Sequence, residues 1–487
     1  MRLSDLLPKE GVFGEYDPSL ITVSGVCTHT EKLQKGMLFI AKRGARTDAT
    51  KLLDKIEEKG AGALLLEENT TLCRETKIPC FYAKNITLTE AKIWERYYGD
   101  PAKNLRIFGV TGTNGKTSTA EFLTHIFNTA GIPTAYIGTL GTRFKDTVIA
   151  SGDTMTTPPA EALYRTLREL VDLGARALVM EVSSHAASQG RVALLNFESL
   201  LFTNLTEDHL DYHGSMENYF IAKRSLFAQA KLAIINKDDD YGQRLLAEFP
   251  VKRSIAVIED ADYTVSDLHE NGYESTQYSC VSPSGVFSVS YPFFGSFHVY
   301  NTLLATAAAL SAGACFEDVR RALSTLKAPK GRLEVLPLNK EYTVIIDYAH
   351  TPDAMACAIK SVRRLTRGRL FVVFGAGGER EREKQPQMGH IAVSLATHVF
   401  LTEDNPRGEA QAQIFSDILL GIKNNDNYSV IENRADAIRT ALDSLVDGDT
   451  LLLLGKGHEE YLLIGEEKRF FSEREIVYEH LKEKERG

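Results

Sequence analysis

RIFGVTGTNGKT, residues 106–117, is the stretch whose reading decides the fold of this chain. The apolar run RIFGV (106–110) reads as a strand, and a polar, glycine-rich loop follows it at once. Beyond the loop, Ala120, Leu123, Ile126, Phe127 and Ala130 recur at helical spacing. They predict a helix over Ser118–Ala130 with Gly131 as its stop. A strand, a glycine loop and a helix in this order suit phosphate binding. Glycines let backbone amides approach an anion, and the helix N-terminus adds partial positive charge. Gly112, Thr113, Asn114, Gly115 and Ser118 form the cradle; Lys116 can reach the outer phosphates, and Thr117 can hold Mg²⁺. Val110 stands where the general Walker pattern has glycine, so the loop is a variant. In this context a nucleoside triphosphate site is preferred to a plain glycine turn.

Working outward, similar apolar runs recur: MLFIA (37–41), ALLLE (63–67), ALVMEV (177–182), LLFTNL (200–205), LAIIN (232–236), TVIID (343–347), LFVVFG (370–375), HVFLT (398–402) and LLLLG (451–455). Continuous runs of this length suit strands covered on both faces by helices, and strands alternating with helices imply a parallel α/β sheet. Seven of the runs, RIFGV included, end in polar, glycine-rich or acidic residues, for example EVSSH (181–185) and TEDHLDYHG (206–214). Loops are polar in any case. Seven such ends in two adjacent units favour a shared site, because ligands of open α/β sheets bind beyond the carboxyl ends of strands.

The length of 487 residues predicts about three domains. Breaks at YYGDPAKN (97–104) and KAPKGR (327–332) divide the chain into 1–100, 101–331 and 332–487. Residues 255–292 alternate polar and apolar side chains, an antiparallel excursion within the middle unit. Lys+Arg 56 against Asp+Glu 65 gives 56 − 65 = −9, which argues against a nucleic-acid binder or a protein docked on anionic lipid. Six scattered cysteines without a CxxC pair suggest a reducing compartment. The N-terminus has no long apolar core of a signal peptide, and no run approaches the roughly 18 apolar residues of a membrane span. A cytoplasmic protein with small-molecule partners, acting as a monomer, is expected.

Glu181 closes its strand, and Asp208, His209 and Asp211 follow another. Hard oxygen ligands with one histidine suit Mg²⁺. The structural alternative is a capping carboxylate and a core histidine; it is preferred for His213 and stays open for His209. Lys223 shares a predicted helix, Met216–Ala230, with Tyr219 and Phe227 on the same face. Read from its residues alone, it is a snorkelling lysine with no catalytic role.

GTNGKT (112–117), EVSSH, TEDHLDYHG, the lysine of YFIAKRSLF (219–227), the asparagine of FHVYN (297–301), KGRLE (330–334) and DYAHTPD (347–353) together resemble the Mur ligase family. These are ATP-dependent amino-acid ligases of peptidoglycan precursor synthesis. FGAGGER (374–380), DNPR (404–407) and GKGHE (455–459) narrow the resemblance to members that join meso-diaminopimelate to the D-glutamate carboxylate of UDP-N-acetylmuramoyl-L-alanyl-D-glutamate, through an acyl phosphate. The resemblance implies a UDP-binding α/β domain, a central ATPase domain with a mostly parallel sheet and a C-terminal Rossmann-like domain. ATP and two Mg²⁺ ions are the implied cofactors. A lysine-adding enzyme, a D-Ala-D-Ala-adding enzyme or a folylpolyglutamate synthase is the alternative within the superfamily.

The resemblance also assigns roles. Lys116, Glu181, His209 and Lys223 are the implied catalytic set. Thr117, Glu181 and His209 would hold metal, and Lys223 matches a carbamylated lysine, which exchanges a repelling ammonium for an anion. Asn301, Arg332 and Asp347 would contact the nucleotide. Thr30, Ala45, Arg46, Thr47, Thr156, Thr157, Ser183, Gln189, Arg191 and Lys223 would contact the UDP-muramyl dipeptide. Arg380, Asp404, Asn405, Pro406, Arg407, Gly455 and Glu459 would form the diaminopimelate pocket. There the chemistry can be argued directly: arginines bind a distal carboxylate in bidentate fashion, and Glu459 pairs with an ammonium. The chain departs from the family pattern at His29-Thr30-Glu31, where Asp-Ser-Arg is frequent, and at His298, Glu379 and Gln385.

Overall fold

The computed structural model describes residues 1–42, 52–70, 72, 75–150, 155–379, 381–423, 425–465 and 467–486. Ala45, Arg46, Thr47 and Arg380 lie outside the described residues. The chain forms two compact units. One comprises Met1–Gly109, Ile132–Ser199 and Ser225–Lys231; the other comprises Val110–Gly131, Leu200–Arg224 and Leu232–Gly487.

In the first unit a five-stranded sheet runs in the order Val12–Gly14, Cys80–Ala83, Ala63–Glu67, Leu38–Ile40, Val26–Cys27. All its pairings are parallel except that of Val12–Gly14. The runs MLFIA and ALLLE supply two of its strands, and Phe39, Leu64 and Leu66 pack with Leu53 and Ile56 on one face. Helix Ile86–Tyr97 starts where the Asn85 side chain accepts the Leu88 amide, a cap that satisfies a donor the helix cannot. Further along, Ala177–Glu181 pairs in parallel with Thr134–Gly138, and Gly141–Phe144 and Thr147–Ala150 continue antiparallel. Helix Ala160–Asp172 buries Leu163, Tyr164, Leu167 and Leu170, the spacing of one helical face.

In the second unit Leu200–Phe202 pairs in parallel with Ala233–Ile235, and Ala233–Asn236 with Lys252–Ile255. Thr264–Asn271, Ser275–Ser282 and Gly285–Tyr291 form the antiparallel meander that the alternation predicted. A six-stranded sheet follows, in the order Glu334–Val335, Thr343–Asp347, Thr450–Leu454, Leu370–Phe374, His398–Leu401, Tyr428–Val430. Only Glu334–Val335 pairs antiparallel. Its two faces make two cores: Ile345, Val372 and Leu452 lie in one, and Val344, Ile346, Phe371, Val373, Leu451 and Leu453 in the other. Successive side chains of a strand point to opposite faces, so both cores together demand an unbroken apolar run.

Three sequence expectations shift. LLFTNL (200–205) is strand only to Phe202; its strand begins at Phe197, which leaves Thr203–Leu205 free to pack on the phosphate loop. The phosphate-loop helix spans Lys116–Thr129, so Lys116 and Thr117 are its first residues, and Gly131 follows at φ +79°. The helix expected over Met216–Ala230 is α-helical to Arg224 and tightens into a 3₁₀ turn over Ser225–Gln229. Among the described residues no helix is long and apolar enough to cross a membrane.

Candidate active site

The phosphate loop follows the strand Arg106–Thr111, as expected. Gly112 sits at φ +144°, and a Cβ there would lie 1.8 Å from Thr203 Oγ1. Gly115 sits at φ +85°, and its Cβ would meet Asn301 Oδ1 at 2.5 Å. Both glycines are demanded by conformation and by space. The loop is tied down from the segment after Phe202. Asn204 Oδ1 accepts the Asn114 amide at 2.9 Å, and Thr203 Oγ1 donates to Asn114 O at 2.6 Å. Thr113 Oγ1 lies 3.2 Å from Tyr219 Oη. Thr117 and Ser118 are buried in the first turn of the helix. Asn301 Oδ1 accepts from Thr119 Oγ1 at 3.2 Å, which places this residue against the loop.

Two lysines converge on one carbonyl. Lys223 Nζ donates to Gly112 O at 2.7 Å, and Lys116 Nζ donates to Gly112 O at 3.1 Å and to Thr113 O at 2.8 Å. Lys223 is 1% exposed, with its amine 4.6 Å from the Tyr219 ring centroid. Burial, then the nearby Lys116 ammonium, push its pKa well below the usual lysine range. The snorkelling reading of Lys223 is therefore wrong: its amine points inward, and burial disfavours its charged form.

Asp208 and His209 lie at the start of helix Leu210–His213, and His209 takes a left-handed backbone, φ +55°. Burial raises the Asp208 pKa, but His209, His350, Lys384 and Lys116 outweigh it and hold the carboxyl down to about 2. His213 is buried against Tyr212 and Tyr219, the core histidine that the residues suggested.

Glu181 lies in the first unit, fully buried, with its carboxylate in a cradle. Tyr136 Oη donates to Oε1 at 2.5 Å, the Thr139 amide to Oε1 at 2.8 Å, and Thr139 Oγ1 to Oε2 at 3.2 Å. The candidates of EVSSH and the Thr156-Thr157 pair gather at this strand end. Thr157 Oγ1 donates to Glu181 O at 2.9 Å and accepts the Ser183 amide at 3.0 Å, while Thr156 Oγ1 lies 3.2 Å from Thr139 Oγ1. Arg191 donates to Thr157 O at 2.7 Å and to Gln189 Oε1 at 2.6 Å. Thr30 is half-buried, and its carbonyl accepts from Lys59 Nζ at 2.7 Å.

In the second unit a single cavity is lined by Asp404, Asn405, Arg407, Gly455 and Glu459, together with His209 and Asp208. Five of the seven residues assigned to the diamino acid thus meet in one place. Arg407 has φ +53° and donates to Gly378 O at 2.7 Å. Gly378 allows this approach, since a Cβ there would lie 2.0 Å from Pro406 O. Asn405 Nδ2 donates to Glu459 Oε2 at 2.9 Å. A Cβ on Gly455 would stand 2.4 Å from Asp404 Oδ2, so glycine lets the two strand ends close up. Asp347 accepts the Leu333 amide at 2.7 Å and the Ala349 amide at 2.8 Å, and burial raises its pKa. The Arg332 guanidinium lies 4.6 Å from the Tyr348 ring centroid.

The sequence reading missed Glu381 and Lys384, which also line this cavity. Glu381 Oε1 accepts the Leu210 amide at 2.7 Å, and Lys384 Nζ lies 3.0 Å from Glu381 Oε2 and 3.4 Å from Asp208 Oδ1. Their spacing of three residues on a helix start was the only available signal. Among the described residues, no three His, Cys, Asp or Glu side chains form a group able to hold a metal ion.

The parallel sheets and the loop at Gly112–Lys116 define the class: α/β proteins with a phosphate-binding loop. The profile of the Mur ligase middle domain matches residues 110–309, and that of the Mur ligase glutamate ligase domain matches residues 331–457. A UDP-N-acetylmuramoyl-L-alanyl-D-glutamate–2,6-diaminopimelate ligase of Aquifex aeolicus is 38% identical over 461 residues, 94% of either chain. The protein of the same name from Synechococcus elongatus is 39% identical over 465 residues, 93% of either chain. A solved structure of a ligase of that name superposes with a TM-score of 0.71 at 28% identity, covering 100% of this chain and 99% of the other. The chain belongs to the Mur ligase family.

Proposed function

We propose that the chain is an ATP-dependent acid–amino-acid ligase that joins meso-diaminopimelate to the D-glutamate carboxylate of UDP-N-acetylmuramoyl-L-alanyl-D-glutamate. The observation that carries this reading is the cavity itself. Arg407, Asp404 and Glu459 all line it, and a guanidinium with carboxylates suits an amino acid that carries both a carboxylate and an ammonium at its far end. Lysine, which has only the ammonium there, offers the guanidinium no carboxylate. The relatives' names and their full-length similarity support the same substrate.

The chemistry requires activation, because a carboxylate does not accept an amine until one oxygen becomes a leaving group. The carboxylate oxygen attacks the γ-phosphorus of ATP, the bridging P–O bond breaks, and ADP departs. The amine of diaminopimelate then attacks the acyl carbon. The C–O bond to phosphate breaks, phosphate leaves, and the nitrogen loses a proton. Lys116 and the amides of the loop neutralise charge on the phosphoryl oxygens. Arg407, Asp404, Asn405 and Glu459 orient the amine.

Lys223, whose ammonium form is disfavoured by burial, takes up CO₂ through its neutral amine: the nitrogen bonds to the carbon, a proton is released, and a carbamate anion replaces the amine. A carbamate and the Thr117 hydroxyl are hard oxygen donors and would suit Mg²⁺, with His209 beside them in the sequence reading; Glu181 is the corresponding carboxylate candidate of the first unit. Bound Mg²⁺ supplies charge neutralisation at the phosphates. Thr156, Thr157, Ser183, Gln189 and Arg191 serve the dipeptide, and Asn301, Arg332 and Asp347 the nucleotide. Domain boundaries near residues 100 and 331 accompany this division of labour.

The test is phosphate release on incubation with ATP, Mg²⁺, the UDP-muramyl dipeptide and a panel of amino acids. Release with meso-diaminopimelate and little with lysine is expected. Release with lysine but not diaminopimelate overturns the substrate.

A further inference from the structure

We propose that Lys456 is the internal counter-cation of the amino-acid cavity, a positioning residue that fixes the orientation of Asn405 and the charge that an incoming ammonium meets. The proposal rests on the assignment of that cavity to the amino acid. Lys456 lies in the turn GKGHE, where a lysine reads as a solvated surface charge. It is instead 0% exposed and does not itself line the cavity.

Its amine stands behind the cavity wall and touches the side chains that form it. Lys456 Nζ donates to Asn405 Oδ1 at 2.9 Å and to Glu459 Oε2 at 3.2 Å, and lies 3.6 Å from Asp404 Oδ1. The Tyr461 ring covers it, with its centroid 5.2 Å from the amine. These acceptors come from two separate strand ends: Asp404 and Asn405 follow His398–Leu401, and Glu459 follows Thr450–Leu454. One ammonium therefore ties the two halves of the wall together.

Two consequences follow from elementary chemistry. The first concerns Asn405. Its Oδ1 accepts from both Lys456 Nζ and the Leu463 amide, the latter at 2.9 Å. With two donors facing the oxygen, the amide nitrogen must face Glu459, to which it donates at 2.9 Å. Without the lysine, half of that orienting force is gone. The second concerns charge. Asp404 and Glu459 bring two negative charges to this part of the wall, and the Lys456 ammonium between them offsets one. Remove the ammonium, and the Asp404 and Glu459 carboxylates lose the cation that they share. Lys456 thus sets both the geometry and the charge of the wall without contacting the ligand.

A plain structural brace would lower stability and impair all substrates alike. A positioning role in this cavity acts on one substrate. The experiment compares wild-type protein with Lys456→Met, which keeps length and removes charge, and Lys456→Gln, which keeps a donor for Asn405. The wild-type panel first identifies the amino acid that the enzyme accepts, and all comparisons use that amino acid. If it is not diaminopimelate, the substrate reading fails while the Lys456 proposal is still tested. Steady-state constants are measured for each of the three substrates, with thermal unfolding and its shift by ATP as a folding control. Both variants are expected to raise the amino-acid KM about tenfold or more, and to change the KM values for ATP and the UDP-dipeptide less than about twofold. An amino-acid KM within twofold of wild type in either folded variant overturns the proposal. Equal impairment of all three substrates, or loss of cooperative unfolding in both variants, overturns it in favour of a plain brace.

Discussion

Lys223 shows what a single residue gains from its surroundings. In sequence it sits on a helix beside Tyr219 and Phe227, and nothing local distinguishes it from a lysine that stretches to solvent. In the folded chain it reaches across 111 residues to the Gly112 carbonyl and loses its water. Burial disfavours its ammonium form, and the neutral amine is the form that takes up CO₂. Lys223→Ala is expected to abolish turnover while the protein still unfolds cooperatively, and Lys223→Glu to restore activity only in part. Turnover assays in buffer depleted of CO₂ and bicarbonate, then resupplied, check the carbamate: activity unchanged by depletion rules it out. Gly112 makes a second prediction at this scale. A Cβ 1.8 Å from Thr203 Oγ1, at φ +144°, has nowhere to go, so Gly112→Ala is expected to displace the loop and lower ATP affinity at least tenfold, read by calorimetry.

At the scale of elements, the strand ends carry the site, and their spacing is held from behind. Arg434 is 0% exposed. It donates to Leu454 O at 2.6 Å, to Glu403 O at 3.1 Å and to Glu473 Oε1 at 2.8 Å. Its guanidinium thereby clamps the carbonyls that precede GKGHE and DNPR. Arg434→Met strands the Glu473 carboxylate in the core, and loss of one partner of a buried pair costs about 3–5 kcal/mol. A lower melting temperature, together with a raised amino-acid KM, is expected; a melting temperature within a degree of wild type would contradict the clamp. The strands themselves were legible, because an unbroken apolar run has few other uses. The clamp was not: Arg434 opens a helix of ordinary composition, and only tertiary packing brings its side chain beneath two strands.

At the scale of the whole molecule, two buried histidines resist protonation and so contribute to the response to acid. Burial, with help from the Arg332 guanidinium, lowers the His298 pKa to about 3. Burial and the cations Arg332, Lys330, His350 and Lys456 lower that of His458 to about 4. An unfolded chain protonates both near pH 6.5, whereas the folded chain does not. Below that pH the unfolded state binds more protons, so stability falls as pH drops from about 6.5 towards 4, by up to about 1.4 kcal/mol per pH unit for each histidine. Thermal unfolding across this range measures the slope, and His298→Phe is expected to reduce it. A slope identical to wild type in that variant would show that His298 is not held neutral.

The sequence by itself determined the α/β class, the phosphate loop and most of the strand positions, because these follow from local periodicity and from glycines whose backbone few other residues can adopt. It also carried enough motif to mark the family and the residues at the strand ends. Tertiary structure alone decided which polar side chains lose their water: Lys223, Lys456, Arg434 and Glu181 are all buried and all partnered by groups far away in the chain. Desolvation, and the partners that offset it, set the charge and reactivity of such groups, and neither is written in the residues on either side.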